Sequence, residues 1–500
     1  MGVTTEGGVN RLVGFDDIGE TFVSDGRVLR GIYPGKAAGV RCVLETCVTH
    51  DFFKDGIIAT READSALHAD LGYEMMLEHA RVPFVSFPHE WPASMLHAAA
   101  KLHLKLFQRL GEKGLTLKDW HPYNILFDGT EPVFVDFTSI IPATELPKQA
   151  YLAGAKAPGG FRSSWDEYSV ALYRMYRLTF EPYFGLPLVM MQQGRHGDAR
   201  ERLVATALNA TDSGMLRGEV FAGRSTARAA YELNDLRLRM TLNERGPVKR
   251  RFFAHLSRML DGMRVAVRGS AYSSYYEDKK EAFASEPSVD WTNKQNVVHD
   301  ALVRFNPETV LDIGSNTGWF SLLAAKLGSN VVGVDLDEAC IDSLFAAAKR
   351  ERLPVLPLVA NLMAPPPDIF AKTFPNEPSL SRIGGEKPLY PSPEKRLECE
   401  MVMALAIVHH LALGQGHSFE RIASTLSGLA SRYLCVEFVQ RDDKMVVDDP
   451  GFFPAMVKAP GSFDWYTVDG FVAALRRHFD EIQVLPSYPS TRLMLLCSKA

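Results

Sequence analysis

The second half of the chain alternates short apolar runs with stretches of helical periodicity. The first run, residues 309–311, breaks into a glycine-containing loop, and a helical pattern over residues 319–327 follows. Short apolar runs bounded by turn residues are typical of buried strands, and their alternation with helices indicates a parallel sheet. Further strands are predicted at residues 330–334, 353–359, 400–408, 433–439, 481–485 and 493–498. The last two have no helix between them, so the pattern predicts a seven-stranded α/β sheet that closes with a strand pair.

Two segments interrupt this organisation. Residues 216–270 carry twelve Lys or Arg against five Asp or Glu, a local charge of +7, and their apolar residues from Phe252 to Met263 recur at helical spacing. This pattern favours an amphipathic connecting helix with a solvated basic face over an anion-binding surface. Residues 364–393 contain eight prolines. Such density excludes a regular helix or a central strand and indicates a loop that is either a functional lid or disordered.

The length of the chain supports more than one domain. At about 150 residues per domain, 500 residues correspond to two to four domains. The interruptions divide the chain into an N-terminal domain (1–215), a basic helical connector (216–290) and a C-terminal domain (291–500). The proline-rich segment 364–393 is interpreted as a lid of the C-terminal domain.

Composition and charge exclude several classes of protein. The chain is 46% hydrophobic and 23% charged, as ordinary globular proteins are, and its net charge of -5 gives no global attraction to nucleic acid or anionic membranes. The longest apolar stretch, residues 401–408, is far shorter than the roughly 20 residues that cross a bilayer. The N-terminus lacks a signal-peptide pattern, and the six cysteines form no CxxC pair. We therefore expect a cytoplasmic protein without nucleic-acid partner, membrane span, disulfide framework or metal site.

The loop after the first predicted strand carries candidate cofactor-binding residues. It contains Asp312, Gly314, Asn316 and Gly318, and Asp335 ends the next strand, 21 residues after Gly314. Glycine lets a loop approach a ligand without a Cβ, and an acidic residue at this spacing binds ribose hydroxyls in doubly wound sheets. The GxGxxG pattern of pyrophosphate-binding loops is absent. The form Asp-x-Gly-x-x-x-Gly instead resembles motif I of class I S-adenosylmethionine (SAM) methyltransferases; the alternative is a glycine turn in another α/β protein.

The resemblance to motif I implies a set of cofactor-binding residues. They comprise the glycine loop, the acidic residue after the second strand and a polar residue after the third, namely Asp312, Gly314, Asn316, Gly318, Asp335 and Asn361. In that family the loop wraps the amino-acid part of SAM, which carries no phosphate. The resemblance also implies that the last strand of the sheet is antiparallel to the others.

Candidate catalytic residues follow the fourth and fifth predicted strands. His409 and His410 directly follow the fourth, and Glu437 lies at the end of the fifth. Ligands of α/β sheets bind beyond the carboxyl ends of the strands, and histidine titrates close to neutral pH. We interpret His410 as a general base, His409 as a packing residue whose side chain points elsewhere, and Glu437 as an orienting group. The alternative is that the histidine pair is only a fold signature and Glu437 a structural hydrogen-bonding residue.

The N-terminal half contains a loop of a different kind. Asp119, Asn124 and Asp136 follow the order of a catalytic-loop Asp, a Mg²⁺-binding Asn and a second metal-binding Asp in kinases, and residues 82–91 would form the hinge between two lobes. The chain shows no GxGxxG and no strand lysine in a V-A-I-K context, and Leu117 stands where a catalytic-loop His would be. The pattern favours a degenerate, kinase-like α+β domain, similar to aminoglycoside phosphotransferases, over an active site for ATP and Mg²⁺.

Four motifs in order resemble one protein family. They lie within residues 82–91, 117–124, 311–318 and 404–411, and they are similar to those of the bacterial methyltransferases related to the nodulation protein NoeA. Two departures stand out: Trp120 and His121 replace the family's Ala-Ser, and Asn361 replaces an Asp that is common after the third strand.

The resemblance implies a SAM-dependent biosynthetic methyltransferase. The reaction we expect is methylation of an oxygen of a small-molecule or glycan intermediate. Two alternatives remain: a bifunctional kinase and methyltransferase that uses ATP and Mg²⁺ in its N-terminal domain, and a non-catalytic regulator that binds SAM.

Overall fold

The computed structural model describes most of the chain. The described residues are 10–11, 16–64, 71–119, 121–148, 165–208, 213–244, 248–265, 269–270, 283, 286–365, 369–370, 388–447 and 460–500. They include every candidate site residue, whereas Trp120 and most of the proline-rich segment predicted as a lid lie outside them.

The N-terminal half begins with an antiparallel sheet of five strands in the order β1-β2-β3-β5-β4. Two small strand pairs follow, β6 with β9 and β7 with β8. The bounds are β1 (Asn10–Arg11), β2 (Gly19–Ser24), β3 (Arg27–Ile32), β4 (Thr60–Glu62), β5 (Met75–His79), β6 (Leu115–Leu117), β7 (Ile125–Asp128), β8 (Glu131–Phe134) and β9 (Ile140–Pro142).

Helices account for most of the remaining N-terminal half. A long amphipathic helix buries Leu96, His103 and Phe107 at the spacing of one helix face. The bounds are α1 (Ala37–Thr49), α2 (Ala93–Gly111), α3 (Glu167–Met175), α4 (Leu186–Gln192), α5 (His196–Leu208), α6 (Ser213–Val220), α7 (Ser225–Thr241) and α8 (Arg250–Asp261), with a π-helical segment at Tyr176–Gly185.

The basic segment packs against these helices. The helical spacing predicted there is confirmed, because α8 buries Phe252, Phe253, Leu256, Met259 and Leu260 on one side. The ring of Phe253 stacks on that of Phe107 in α2, with centroids 5.7 Å apart. These contacts make α8 part of the N-terminal core.

The predicted solvated basic face is confirmed for α8, where Arg250, Arg251 and Arg258 are exposed, but two cations outside this helix are buried. Arg217 is buried, and its guanidinium forms ion pairs with Glu181, Glu232 and Asp235. Lys249 is buried too and pairs with Asp166 at 2.9 Å. A cation tolerates burial only when paired, so the carboxylates of neighbouring helices account for both positions.

The C-terminal half forms the predicted seven-stranded sheet, in the order β12-β11-β10-β15-β16-β18-β17. Its strands are parallel except for the last, β18, which pairs antiparallel with both neighbours, as the resemblance implied. The bounds are β10 (Thr309–Ile313), β11 (Asn330–Asp335), β12 (Val355–Val359), β15 (Cys399–Ala404), β16 (Ala430–Val439), β17 (Glu481–Pro486) and β18 (Arg492–Ser498). A separate pair, β13 (Ile369–Phe370) with β14 (Pro388–Tyr390), lies within the proline-rich segment.

The fourth strand of this sheet is shorter than predicted. It ends at Ala404, and Ala406 adopts a left-handed φ of +54° in the turn that follows. Leu405 and Val408 are buried beyond the strand end, so their apolar character extended the predicted strand into a turn and a helix.

The helices of the C-terminal half flank the sheet. Their bounds are α9 (Asn293–Phe305), α10 (Trp319–Lys326), α11 (Glu338–Glu351), α12 (Pro393–Arg396), α13 (Phe419–Leu429), α14 (Lys444–Val447) and α15 (Val468–Leu475), with a π-helical segment at His410–Gly414. No helix among the described residues has the length and apolar character needed to cross a membrane.

The two halves are in direct contact. One contiguous cluster of buried apolar side chains includes residues of both, from Ile32 and Trp91 to Leu358 and Leu495. At the tip of the β7–β8 hairpin, a Cβ on Gly129 would lie 3.3 Å from the carbonyl oxygen of Leu353. The hairpin therefore packs backbone to backbone against the segment that precedes β12.

Candidate functional site

The glycine loop lies between β10 and α10 at the carboxyl edge of the sheet. Gly314 and Gly318 have φ angles of +74° and +87°, and the amides of Gly314 and Ser315 donate to the carbonyl oxygen of Val334 at 2.8 and 3.0 Å. Asn316 has a φ of +52°. Left-handed backbone favours glycine, so the conformation of the loop accounts for the glycines at positions 314 and 318.

Close packing of neighbouring side chains also requires glycine at positions 314 and 318. A Cβ on Gly314 would lie 2.8 Å from Cδ1 of Ile407, and one on Gly318 would overlap the side chain of Leu344 in α11. The approach of a ligand is therefore one of several reasons for glycine at these positions. The contact with Ile407 also brings the chain after β15 against the glycine loop.

Asp335 connects the glycine loop to the start of α11. Its Oδ2 accepts a hydrogen bond from the amide of Asn316 at 2.9 Å, and its Oδ1 accepts one from the amide of Asp337 at 3.0 Å. Burial raises the pKa of Asp335 above its ordinary value, against the effect of these amides. The predicted acidic residue therefore lies beside the loop, half-buried, with a backbone donor on each oxygen.

Asp312 lies beneath the loop. It is buried, and the hydroxyl of Ser321 in α10 donates to its Oδ2 at 2.6 Å. Burial raises its pKa to about 6. Asp312 thus joins β10 to α10.

Asn361 shapes the turn after β12. Its Oδ1 accepts hydrogen bonds from the amides of Met363 and Ala364 at 3.0 and 3.2 Å. The side-chain oxygen is therefore engaged within its own turn, at the same edge of the sheet as Asp335.

The histidine pair lies in a helical turn, so the expectation that it directly follows the strand is wrong. The two ring centroids are 4.2 Å apart and the ring planes are inclined by 42°. The two rings are therefore neighbours. Successive side chains on a helix differ in direction by about 100°, and the prediction that these two point in different directions stays a prediction.

Burial distinguishes the two histidines. His409 is buried, and its burial together with the neighbouring His410 and Arg492 holds its pKa well below the ordinary value. His410 is half-buried. Of the two, His410 is the better placed to meet a ligand.

Glu437 is held inside the protein. It has no solvent exposure, Ser487 donates to its Oε1 at 2.6 Å, and Lys294 of α9 pairs with its Oε2 at 2.7 Å. Sequence reasoning missed Lys294, although a buried acid at a strand end requires a cation. The geometry gives Glu437 a role in binding α9 to the sheet.

Gly333 was also missed by the sequence argument. It lies in β11, and a Cβ there would approach Cδ2 of Leu344 at 2.6 Å and the hydroxyls of Ser321 and Ser315 at 3.2 and 3.3 Å. A glycine inside a strand often marks such close packing, and this was the available signal.

In the N-terminal half, Asp136 is surrounded by protein donors. Its Oδ1 accepts from Arg30 of β3 at 3.0 Å and from Thr138 at 3.3 Å, and its Oδ2 accepts from Ser139 and, at 3.5 Å, from the amide nitrogen of Asn124. Burial would raise the pKa of Asp136, but Arg30, Ser139 and Lys118 together hold it below its usual value.

The cations around Asp136 belong to a wider network. Arg30 also pairs with Asp16 at 2.9 Å, and Lys118 lies 3.2 Å from Asp16. Sequence reasoning found no strand lysine and overlooked Arg30, because contacts across 106 residues leave no local signal.

Asp119 forms an ion pair with His121. The distance from Oδ2 of Asp119 to Nε2 of His121 is 3.0 Å. Burial would lower the pKa of His121, but the Asp119 carboxylate raises it above the ordinary value. The structure thus brings Asn124 to Asp136 and pairs Asp119 with His121, whose pKa the Asp136 carboxylate also raises.

Comparison with curated proteins finds one relative along most of the chain. The nodulation protein NoeA of Rhizobium meliloti (strain 1021) is 24% identical over 439 residues, which are 86% of this chain and 85% of that protein. The chain is similar to NoeA. The resemblance expected from the four motifs is therefore confirmed. No protein-family model matches the chain.

Solved structures align with parts of the chain. Magnesium protoporphyrin IX methyltransferase (ChlM) from Synechocystis PCC 6803, with bound SAH, is 14% identical over 46% of this chain and 96% of its own, with a TM-score of 0.29. The bifunctional kinase-methyltransferase WbdD is 16% identical over 45% of this chain and 42% of its own, with a TM-score of 0.28.

Proposed function

We propose that the chain is a SAM-dependent methyltransferase whose cofactor lies at the carboxyl edge of the seven-stranded sheet. The supporting observation is the meeting of three loops where the strand order reverses. The glycine loop after β10 contacts Ile407 after β15, and Asp335 at the end of β11 accepts a hydrogen bond from the amide of Asn316 in the glycine loop. Doubly wound sheets bind ligands at this reversal point.

The residues at this edge fit the chemistry of SAM. The two oxygens of the Asp335 carboxylate offer about four acceptor positions. The backbone amides of Asn316, Leu336 and Asp337 use part of them, so a ribose hydroxyl can still donate to this carboxylate. The loop of Gly314 and Gly318 lacks the pyrophosphate pattern, as suits a cofactor without phosphate. When bound, SAM supplies a methyl group on a sulfonium that a nucleophile can attack.

The chain's own residues would bind the cofactor, align the nucleophile with the methyl group and accept the proton of the nucleophile. Asp335 would hold the ribose, with Asn316 beside it and Asn361 shaping the neighbouring turn. His410 would accept the proton of an attacking hydroxyl on a small-molecule or glycan substrate, while His409 supports its ring. Alignment of the nucleophile with the methyl group would be the main contribution to the rate.

We further propose that the N-terminal half is a kinase-like scaffold without phosphoryl transfer. Both oxygens of Asp136 are occupied by protein donors, including Arg30. Mg²⁺ would have to displace a guanidinium from this carboxylate, so the residues present do not fit the metal. Asp119 is engaged in an ion pair with His121.

Titration of the purified full chain with SAM and with its demethylated product tests the proposed function. Asp335→Ala removes hydrogen bonds to a charged group, each worth about 1.5 to 3 kcal/mol, so affinity should fall at least about tenfold. The matched control is Asp300→Ala, because Asp300 on α9 has a side chain 81% exposed. Both variants must show the far-ultraviolet circular dichroism of the wild type. Unchanged affinity in Asp335→Ala would contradict the assignment.

Turnover separates the proposal from its rivals. A regulator would bind SAM and transfer no methyl group to any acceptor. A bifunctional enzyme would in addition bind ATP with Mg²⁺, which calorimetry detects directly.

A further inference from the structure

The first turn of α2 is capped by side chains of the other half of the protein. The residue before this helix is Pro92, which has no side-chain acceptor. The amide of Ala93 donates to Oε1 of Glu338 at 3.0 Å, and the amide of Ser94 donates to Oδ1 of Asp342 at 3.3 Å. The hydroxyl of Ser94 also donates to Asp342. Carboxylates at a helix N-terminus satisfy free amides and interact favourably with the helix dipole.

A second helix of the N-terminal half reaches the same carboxylate. Arg200 of α5 forms an ion pair with Oε2 of Glu338, and Nδ1 of His196 lies 3.4 Å from Oε1. The side chain of Glu338 is 14% exposed. Burial would raise the pKa of Glu338, but His196 and Arg200 hold it below its usual value. The carboxylate is therefore kept charged by partners that lie outside its own half.

Glu338 and Asp342 occupy the start of the helix that follows the candidate ribose-binding residue. Asp337 caps this helix by accepting hydrogen bonds from the amides of Ala339 and Cys340 at 2.9 and 3.1 Å, and its own amide donates to Asp335. Asp335 in turn accepts from the glycine loop. Hydrogen bonds thus connect the glycine loop to the start of α11, and the first two turns of α11 carry the two carboxylates that cap α2.

This stretch concentrates negative charge. Four carboxylates lie within eight residues, at positions 335, 337, 338 and 342. Neighbouring carboxylates repel each other when they are ionised, and a nearby cation offsets this repulsion. Among the ion pairs of the described residues, Arg200 of α5 is the arginine that pairs with one of these four carboxylates, that of Glu338.

We infer that Arg200 is a positioning residue for the cofactor site. By holding Glu338, it fixes the start of α11 and therefore the orientation of Asp335 and the glycine loop. This inference rests on the proposed function. It assigns to the N-terminal half a task that needs no nucleotide: it preorganises the cofactor site and reduces the ordering that binding would otherwise require.

The test compares three single substitutions in the full chain by calorimetric titration with S-adenosylhomocysteine. Arg200→Ala should weaken binding about five- to tenfold, within the range of known couplings between sites. Arg200→Lys keeps the charge and should return affinity to within about threefold of the wild type. Arg202→Ala is the matched control, because Arg202 lies on the same helix, pairs with Glu219 and has a side chain 43% exposed. It should change affinity less than about twofold.

Hydrogen exchange of backbone amides distinguishes a positioning role of Arg200 from a merely structural one. If the two sites are coupled, the ligand must act back on α2. In the wild type, added S-adenosylhomocysteine should slow exchange of the Ala93 and Ser94 amides, and in Arg200→Ala it should not. If Arg200→Ala does not fold, Glu338→Gln replaces it, because the amide oxygen can still accept from Ala93 while the ion pair is lost.

The outcomes separate this inference from the proposed function. A folded Arg200→Ala that melts earlier but binds S-adenosylhomocysteine as the wild type does would make Arg200 purely structural and overturn the inference. A wild type that binds neither SAM nor its product would refute the proposed function, and the inference with it.

Discussion

At the scale of single residues, burial assigns different chemistry to neighbouring side chains. His409 is buried with a strongly lowered pKa, so it stays neutral at physiological pH and is a poor proton acceptor. His410 is half-buried and its ring lies against that of His409. The same logic applies to Asp312 and Asp335: the first is sealed beneath the loop, and the second borders it.

His410→Ala tests the assignment of the base. General-base assistance is typically worth about 10²- to 10⁴-fold, so turnover should fall by that factor while SAM affinity stays nearly unchanged. His409→Ala is the companion variant and should mainly lower the melting temperature, because it leaves a cavity in a buried site. Turnover of His410→Ala within about threefold of the wild type would show that alignment alone carries the reaction.

Asp312→Asn should change the pH dependence of stability. Burial raises the pKa of Asp312 to about 6, so ionisation of this group opposes folding, an effect absent below about pH 4 and complete above about pH 6. The amide oxygen of Asn can still accept from Ser321. The variant should therefore be more stable than the wild type at pH 7, by about 3 kcal/mol at most, and the difference should shrink towards pH 4. Urea unfolding across this range measures it, and equal stability at pH 7 would contradict the expectation.

At the scale of elements, the glycine loop, α10 and α11 pack too closely for side chains at two positions. Gly318 and Gly333 both face Leu344 of α11, one from the loop and one from β11. The close approach lets α11 lie directly against β11. The contact between Gly318 and Leu344 also stabilises the conformation of the glycine loop.

Gly318→Ala and Gly328→Ala form a matched pair that isolates this contact. Both glycines have left-handed φ angles, +87° and +108°, so each substitution carries a backbone cost of about 1 to 2 kcal/mol. A Cβ at Gly328 meets open space, whereas one at Gly318 overlaps Leu344. Denaturant unfolding should therefore show Gly318→Ala to be less stable than Gly328→Ala by about 1 to 3 kcal/mol. Equal losses would mean that Leu344 moves aside freely.

The sequence predicts the elements that have a local pattern. It does not predict the residues whose role depends on partners far away along the chain. The strands of the C-terminal sheet are short buried runs bounded by loops, so their pattern was sufficient. Residues 405–408 were assigned to the fourth strand because an apolar run does not distinguish a strand from a turn and a buried helix. Arg30, Arg200 and Lys294 could not be predicted, since each meets its carboxylate more than 100 residues away along the chain.

At the scale of the whole molecule, the N-terminal half contributes contacts to the sheet domain. Arg396 of α12 forms a buried ion pair with Glu90 and donates to the carbonyl oxygen of Val85 at 2.5 Å. Both partners lie in the segment predicted as a hinge. Together with the cap on α2, this pair attaches the end of the proline-rich segment and the start of α11 to the same short stretch of chain.

Asp136→Asn tests whether the N-terminal half transfers phosphoryl groups. Since Arg30 and other protein donors occupy the Asp136 carboxylate, the substitution should leave methyl transfer within about twofold of the wild type. The wild type should show no ATP hydrolysis with Mg²⁺. Thermal unfolding of the variant controls for loss of the Arg30 pair. ATP turnover that this substitution abolishes would establish a working phosphotransferase site.

The cap on α2 by Glu338 and Asp342 matters while the protein is being synthesised. About 250 residues separate Ala93 from Asp342, and at about 5 to 20 residues per second the ribosome needs roughly 12 to 50 s to add them. Throughout that interval the nascent N-terminal half lacks the carboxylates that complete its longest helix and the apolar side chains that complete its core. We therefore expect the first half of the chain to keep the Ala93 and Ser94 amides uncapped, and part of its apolar surface exposed, until the second half has been translated.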